Sequence, residues 1–372
     1  LAAQGNSYSF LHITKSEIDL SDKIDIHAPE VYAQAKDNLD AFIKRDVLFR
    51  ESKDCYYIYQ LVMNGRSQTG LVCVSSVDDY ENDIIKKHEF TRPEKEQDRI
   101  NHIKTTGAQT GNVFLAYRNH AAVDAIIDHW KQAKSPVYDF TADDGIQHSI
   151  WIVSDSEIVA SITAAFEKEI PCTYIADGHH RAASAAKVRQ QMQEKAPAGA
   201  SYFLTTLFPS NQLHIMDYNR VVKDLNGLST ADFLERCRKS FILSNDFYEK
   251  SPGRFHELGM YIEGRWYKLT ARDGAYDESD SVSRLDVSIL QEHLLEPVLG
   301  IHDPRSDTRI KFVGGIRGME ELERLVDSGK FSVAFALYPP TIEQLMEVAD
   351  ADRIMPPKST WFEPKLRSGI FT

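Results

Sequence analysis

Between residues 29 and 44 the apolar side chains of Val31, Ala35, Leu39, Phe42 and Ile43 recur every three or four positions, which places them on one face of a helix. The period then shortens to that of β structure. Residues 55–63 and 69–77 are β-rich runs separated by Asn64-Gly65, a pair that supplies the left-handed backbone of a tight hairpin. Further on the two periods alternate, predicting helices at 79–87, 94–105, 122–133 and 156–169 and strands at 113–117, 137–141, 147–153 and 172–175. A helix starts at 179, the run 202–208 reads as a strand, and 213–222 reads as a turn with another strand. Beyond it lie a helix at 230–239, strands at 260–262 and 266–269 across Glu263-Gly264-Arg265, and an acidic, turn-rich loop at 273–283. Strands at 310–313 and 332–337, each followed by a helix (319–328 and 341–349), complete the pattern.

This alternation predicts an α/β or α+β protein built on a mixed sheet. We expect a core α/β domain over 1–225, a small α+β insert over 226–284 and an α/β segment over 285–372 that completes the site. Composition narrows the class: 42% hydrophobic residues in 372 support a substantial core, and a net charge of −12 argues against a nucleic-acid partner. No run of about 18 apolar residues and no signal-peptide core is present, so neither membrane insertion nor export is expected. Cys55, Cys73, Cys172 and Cys237 are too scattered for a zinc ribbon or a disulfide framework, which suits a reducing cytoplasm. The sequence begins at Leu1 rather than Met, which leaves room for a preceding segment.

Three clusters carry candidate chemistry. In the first, a strand ends at Asp177-Gly178 and His179, His180 and Arg181 enter a helix rich in alanine. Gly178 can take positive φ, the first helical N–H groups point outward, and Arg181 adds a forked cation, so phosphate is the natural guest. The alternative is a plain helix start, with Asp177 as N-cap and solvated first-turn side chains. His179 and His180 point about 100° apart on a helix, so no metal site is assigned to them.

The second cluster, residues 86–99, sets His88, Glu89, Thr91, Arg92, Lys95, Asp98 and Arg99 around a helix start at Pro93. It either pairs a carboxylate base, Glu89, with cations that hold phosphate, or it is a solvated salt-bridge face. The third, residues 355–369, follows Met355-Pro356-Pro357, which cannot be helical, and presents Lys358, Ser359 and Thr360 from an extended loop. The G-x-x-x-x-G-K frame of a phosphate-binding loop is absent there, and a packed, proline-stiffened segment is the competing reading. Two weaker signals are Arg220, expected on an edge strand, and Gly314-Gly315, which resembles part of a phosphate turn.

Taken in order along the chain, Phe10-Leu11-His12-Ile13, His88-Glu89 with Thr91, Ile175-Ala176-Asp177-Gly178-His179-His180-Arg181 and Met355-Pro356-Pro357-Lys358-Ser359-Thr360 resemble a widespread prokaryotic family of unknown function. Through the Asp-Gly-His-His-Arg segment that family is similar to the ParB and sulfiredoxin-like nucleotide-binding superfamily, which includes free-serine kinases. The resemblance implies a ParB/sulfiredoxin-like core in which Gly178, His179, His180 and Arg181 bind nucleotide phosphates. It further implies that Asp177 assists a metal or the acceptor hydroxyl and that Glu89 is the acid of the first box. ATP or ADP with Mg²⁺ would be the cofactors, and His88, Arg92, Lys358, Ser359 and Thr360 would join the binding set. Sulfiredoxin chemistry needs a reactive cysteine, and Cys172 falls in a predicted buried strand; DNA partitioning needs a basic helix-turn-helix, which is lacking. Two readings stay open. One is an enzyme moving phosphate to a small hydroxyl compound such as an amino acid; the other is a nucleotide-binding regulatory module without rapid chemistry.

Overall fold

The computed structural model describes residues 3–245 and 247–372, and its contacts divide the chain into two compact units, Leu1–Leu213 with Pro364–Thr372, and His214–Glu363. The breaks expected after 225 and 284 both fall inside the second unit.

The first unit is built on an eight-stranded mixed sheet. Its strands are β1 (Tyr56–Met63), β2 (Arg66–Ser76), β3 (Ile85–Lys86), β4 (Val113–Tyr117), β5 (Tyr138–Thr141), β6 (Gln147–Val153), β7 (Thr173–Asp177) and β8 (Tyr202–Pro209), in the order β3-β7-β4-β8-β2-β1-β6-β5. The β1–β2 hairpin turns at Asn64 and Gly65 with φ of 52° and 76°, the double left-handed geometry that Asn-Gly tolerates. Helices α1 (Leu11–Thr14), α2 (Pro29–Lys44), α3 (Val77–Glu81), α4 (Pro93–Thr106), α5 (Ala121–Ala133), α6 (Ser156–Lys168) and α7 (His179–Met192) complete it. In α2 the spaced apolar residues Val31, Ala35, Leu39 and Phe42 are all buried, as their period requires, whereas Ile43, expected on the same face, is exposed because it stands one position round from Phe42. Asp155 caps α6 by accepting from the N–H groups of Glu157 and Ile158. One core gathers Ile58, Leu71, Val113, Leu115 and Ile175 from the sheet with Ile127, Ile162 and Ala182 from the helices.

Two elements differ from the sequence pattern. The helix expected over 79–87 stops at Glu81, and Ile85–Lys86 pairs parallel with β7 instead. Cys172 lies before β7 and is half-buried rather than held in its core.

The second unit carries a two-stranded ribbon of β9 (Ile215–Met216) and β16 (Trp361–Phe362) and a six-stranded sheet. The sheet strands are β10 (Tyr218–Val222), β11 (Phe241–Asn245), β12 (Glu257–Ile262), β13 (Arg265–Ala271), β14 (Ile310–Gly314) and β15 (Val333–Leu337), in the order β11-β13-β12-β15-β10-β14. Every pairing in that sheet is antiparallel. The predicted insert and the predicted closing segment therefore share one sheet, which is why no boundary separates them at 284. Helices α8 (Thr230–Cys237), α9 (Asp286–Leu290), α10 (Met319–Asp327) and α11 (Ile342–Asp350) flank it, with Leu322 and Leu325 of α10 in its core. A capping box of Thr341 and Gln344 starts α11. At α9 the carboxyl of Asp286 is 5% exposed; its Oδ1 accepts the His256 N–H at 2.8 Å and its Oδ2 has no partner among the described residues. Burial pushes that carboxyl up to about 7. Among the described residues no helix is long and apolar enough to cross a membrane.

Candidate functional site

Sheet topology brings three segments of the first unit to one place. Because β3 runs parallel to β7, the loop after Lys86 leaves the sheet at the same end as the turn after Asp177. Because β4 runs antiparallel to β7, its start, with Gly111 just ahead of it, lies at that end too. Two chemically dense segments, residues 87–92 and 177–181, thus become neighbours.

Gly178 is the N-cap of α7 with φ of 105°, in the left-handed region where a Cβ is disfavoured. A Cβ there would lie 2.8 Å from Arg181 Nε, so any other residue would also push the guanidinium aside. The guanidinium of Arg181 folds back over the turn: Nη2 donates to Asp177 Oδ2 at 3.1 Å, while Nε has no hydrogen-bond partner among the described residues. Its aliphatic stem passes Gly111, where a Cβ would sit 3.5 Å from Cδ. Arg181 remains 34% exposed, so the cation at the mouth of the helix is reachable. Lys365 is a second cation there, with Nζ 4.0 Å from Asp177 Oδ2. Behind the turn, Ala182, Ala183, Ala185 and Ala186 are buried, small enough to let α7 be enclosed along most of its first turns.

The two histidines do something the sequence did not suggest. His179 Nε2 accepts the His88 N–H at 3.5 Å and His180 Nε2 accepts the Arg92 N–H at 3.0 Å, so both imidazoles fasten the 88–92 loop to α7. With Nε2 as acceptor, the proton of neutral His179 sits on Nδ1, which faces Glu89 Oε2 at 3.8 Å. Burial, reinforced by the charges of His88, His180, Arg181 and Lys87, holds His179 well below the ordinary imidazole value. His88 packs edge-on against His179 with centroids 4.5 Å apart, and burial brings it down to about 4. Its Nδ1 has no partner among the described residues. Glu96 of α4 pairs with Lys187 of α7, and Ser184 donates to the Glu96 carbonyl at 3.3 Å, which locks the two helices beneath the loop.

Of the sequence candidates, Asp177, Gly178, His179, His180, Arg181, His88, Glu89 and Arg92 therefore converge. Arg92 itself is exposed, and Glu89 is 39% exposed. Lys358, Ser359 and Thr360 belong to the second unit. There the expected extended loop turns at Pro357 and Lys358, Lys358 has φ of 60°, and Ser359 is buried with its hydroxyl donating to the Pro356 carbonyl at 2.6 Å. Arg220 holds this loop from an interior strand rather than an edge: β10 lies between β15 and β14, and Arg220 is 3% exposed. Its guanidinium donates to the carbonyls of Tyr218 and Lys358, the latter at 3.0 Å, and burial lowers it to about 9.

The other glycine turn, Gly314-Gly315, is filled from within its own unit. A Cβ on Gly315 would lie 1.8 Å from Asp217 Oδ1, and one on Gly314 would lie 3.0 Å from the Trp361 ring. Sequence reading missed Lys365 and Gly111 as lining of the first-unit site. The signal for Lys365 was available, since Glu363-Pro364-Lys365 stands inside the third cluster, but the lysine nearer the prolines drew attention instead.

A family model described as "Protein of unknown function (DUF1015)" matches residues 1–288. No curated protein matches the chain. Among solved structures it is similar to a free serine kinase in complex with AMP, at 15% identity and a TM-score of 0.39, covering 78% of this chain and 86% of that one. It is also similar to a conserved hypothetical protein from Pyrococcus furiosus (15% identity, TM-score 0.41, 81% of this chain and 94% of that one). A third is SbnI with C-terminal truncation from Staphylococcus aureus (9% identity, TM-score 0.43, 81% and 84%).

Proposed function

The chain belongs to the DUF1015 family of proteins of unknown function, and from that premise we propose that its first unit binds a nucleotide by its phosphates at the turn between β7 and α7. The reaction assigned to it is transfer of a phosphoryl group from ATP or ADP to a small hydroxyl compound such as an amino acid. The observation that carries this reading is Arg181, folded over a glycine held at positive φ, with Nε unpartnered among the described residues at the start of a long helix. A forked cation beside helix N–H groups is complementary to phosphate oxygens and to the charge spread over them during transfer.

Glu89 is the carboxylate proposed to accept or orient the acceptor's proton. It faces the Nδ1–H of His179, which orients it, and it is open to solvent on its other side. Asp177 is proposed to hold the acceptor hydroxyl or to reach Mg²⁺. Among the described residues no group of three or more His, Cys, Asp or Glu could hold a metal, so the proposed Mg²⁺ would need nucleotide oxygens as its main ligands. When bound, that ion would neutralise charge on the phosphates. A second reading, a regulatory module that senses nucleotide, is favoured by the pairing of Asp177 with Arg181 and Lys365, which occupies the carboxylate of the turn.

Incubating the purified protein with ATP or ADP, Mg²⁺ and mixed amino acids should yield a phosphorylated amino acid detectable by mass spectrometry and ³¹P NMR. Binding by calorimetry without turnover would leave only the sensing role, and no binding at all would remove both.

A further inference from the structure

The segment Pro364–Thr372 belongs to the first unit although 150 residues of the second unit, His214–Glu363, precede it. It is held on both sides of Lys365. Buried Gln68 donates to the Pro364 carbonyl at 3.3 Å. Arg367 donates from its backbone to the Tyr59 hydroxyl at 3.4 Å and from its guanidinium to Asp144 and to His148 Nε2. Gly369, at φ of 87°, lies so close to Phe10 that a Cβ would come within 2.8 Å of it, and Phe371 packs on Tyr57 with centroids 5.0 Å apart. Anchoring of this kind fixes where Lys365 can reach, and it reaches Asp177 Oδ2, the same oxygen that Arg181 Nη2 contacts.

Two cations thus converge on one carboxylate at the mouth of the turn. Arg99 is held below its ordinary value by burial and by the charge of Arg181, with neighbouring Asp98 opposing that shift. Like charges gathered at a helix N-terminus are stabilised by an anion placed among them. A phosphate held by Arg181 and the helix N–H groups would leave Lys365, coming from a different segment, to meet a second phosphate of the same ligand.

We propose that Lys365 is a binding residue for the outer phosphate of a diphosphate- or triphosphate-bearing ligand, delivered to the site by the anchored 364–372 segment. This rests on the assignment of nucleotide binding to the same turn. The ammonium makes a charge-assisted contact that a monophosphate in the inner position does not use.

The test is calorimetry with ADP and AMP on the full chain. The native protein is expected to bind ADP more tightly than AMP. Lys365→Gln should weaken ADP by about tenfold and AMP by less than about twofold, and Lys365→Arg should keep ADP within about threefold. Unchanged thermal melting of both variants separates a lost contact from lost folding. An equal loss for ADP and AMP, no loss for either, or an arginine variant as weak as the glutamine one would overturn the role of Lys365 while leaving the site itself standing. Failure of the native protein to bind either nucleotide would overturn the site and this inference together.

Discussion

Each unit has a strand that ends in glycine and turns into a helical segment, and each has an arginine close to that turn or to the loop beside it. In the first unit the space over Gly178 holds the guanidinium of Arg181, which keeps one face toward solvent. In the second the space over Gly315 holds the carboxyl of Asp217, raised by burial and receiving a hydrogen bond from Asn219 at 2.5 Å. A half-buried carboxyl in that position fills the space an anion would need, whereas the partly exposed cation attracts one. The arginines differ in the same sense. Arg220 spends its donors on two carbonyls and is sealed in; Arg181 spends one on Asp177. Glycine at a strand-to-helix turn makes room, and what fills the room decides whether a ligand can enter.

The arginines offer the largest contrast. Arg220→Ala would remove the buried donor that the Tyr218 and Lys358 carbonyls share and open a cavity, so unfolding of the second unit should become easier by about 2 to 4 kcal/mol, read from hydrogen-exchange protection of its peptides. Arg181→Ala should leave protection almost unchanged while phosphate or nucleotide affinity falls by roughly tenfold or more. If Arg181→Ala unfolds the first unit instead, the distinction between a structural and a ligand-facing arginine is lost.

Next are the glycines. Gly178→Ala must adopt positive φ and displace Arg181, so we expect a cost of about 1 to 3 kcal/mol together with loss of nucleotide binding. Gly315→Ala must displace Asp217 and should lower stability without touching binding. Calorimetry and thermal melts on the pair would check both; retained binding in Gly178→Ala would show that Arg181 does not need its present pose.

The smallest expected effect is on pH. His88 and His179 are neutral and depressed in the folded first unit, so stability present at neutral pH is lost as the pH falls from about 6.5 toward about 4, the value of His88. Asp286 is raised to about 7 in the second unit, so its contribution grows as the pH falls through that value. Between pH 7 and 5.5 each group should shift its own unit by about 1 kcal/mol, in opposite directions. Hydrogen-exchange protection at the two pH values, in the native protein and in His88→Asn and Asp286→Asn, should show the second-unit effect vanish in Asp286→Asn and the first-unit effect shrink in His88→Asn, the part due to His179 remaining.

Much of this was legible in the sequence because it is local. The 29–44 repeat, the Asn64-Gly65 hairpin and the Asp177-Gly178 turn all specify backbone geometry within a few residues, and the structure bears them out. Partners were not legible. Nothing near His179 and His180 in sequence shows that their ring nitrogens accept from the backbone of residues 88 and 92, which depends on the parallel pairing of a two-residue strand hidden in a predicted helix. Arg220 read as an edge residue because a charge in an apolar strand is easiest to place at an edge; its burial depends on β14 and the 358 loop arriving from far along the chain. The helical stretch at 286–295, which passes from α-helix into a wider π turn, was missed although Val287, Leu290 and Leu294 recur at helical spacing.

The division of the chain has a further consequence, for biosynthesis. Lys365, Arg367 and Phe371 leave the ribosome only after all 150 residues of His214–Glu363 have been made. At typical elongation rates of roughly 5 to 20 residues per second, the earlier part of the first unit waits about 8 to 30 seconds for its last segment. During that interval Arg181 has Asp177 but not the neighbouring lysine, so by its construction the full cationic site cannot exist on a nascent chain that stops anywhere inside the second unit.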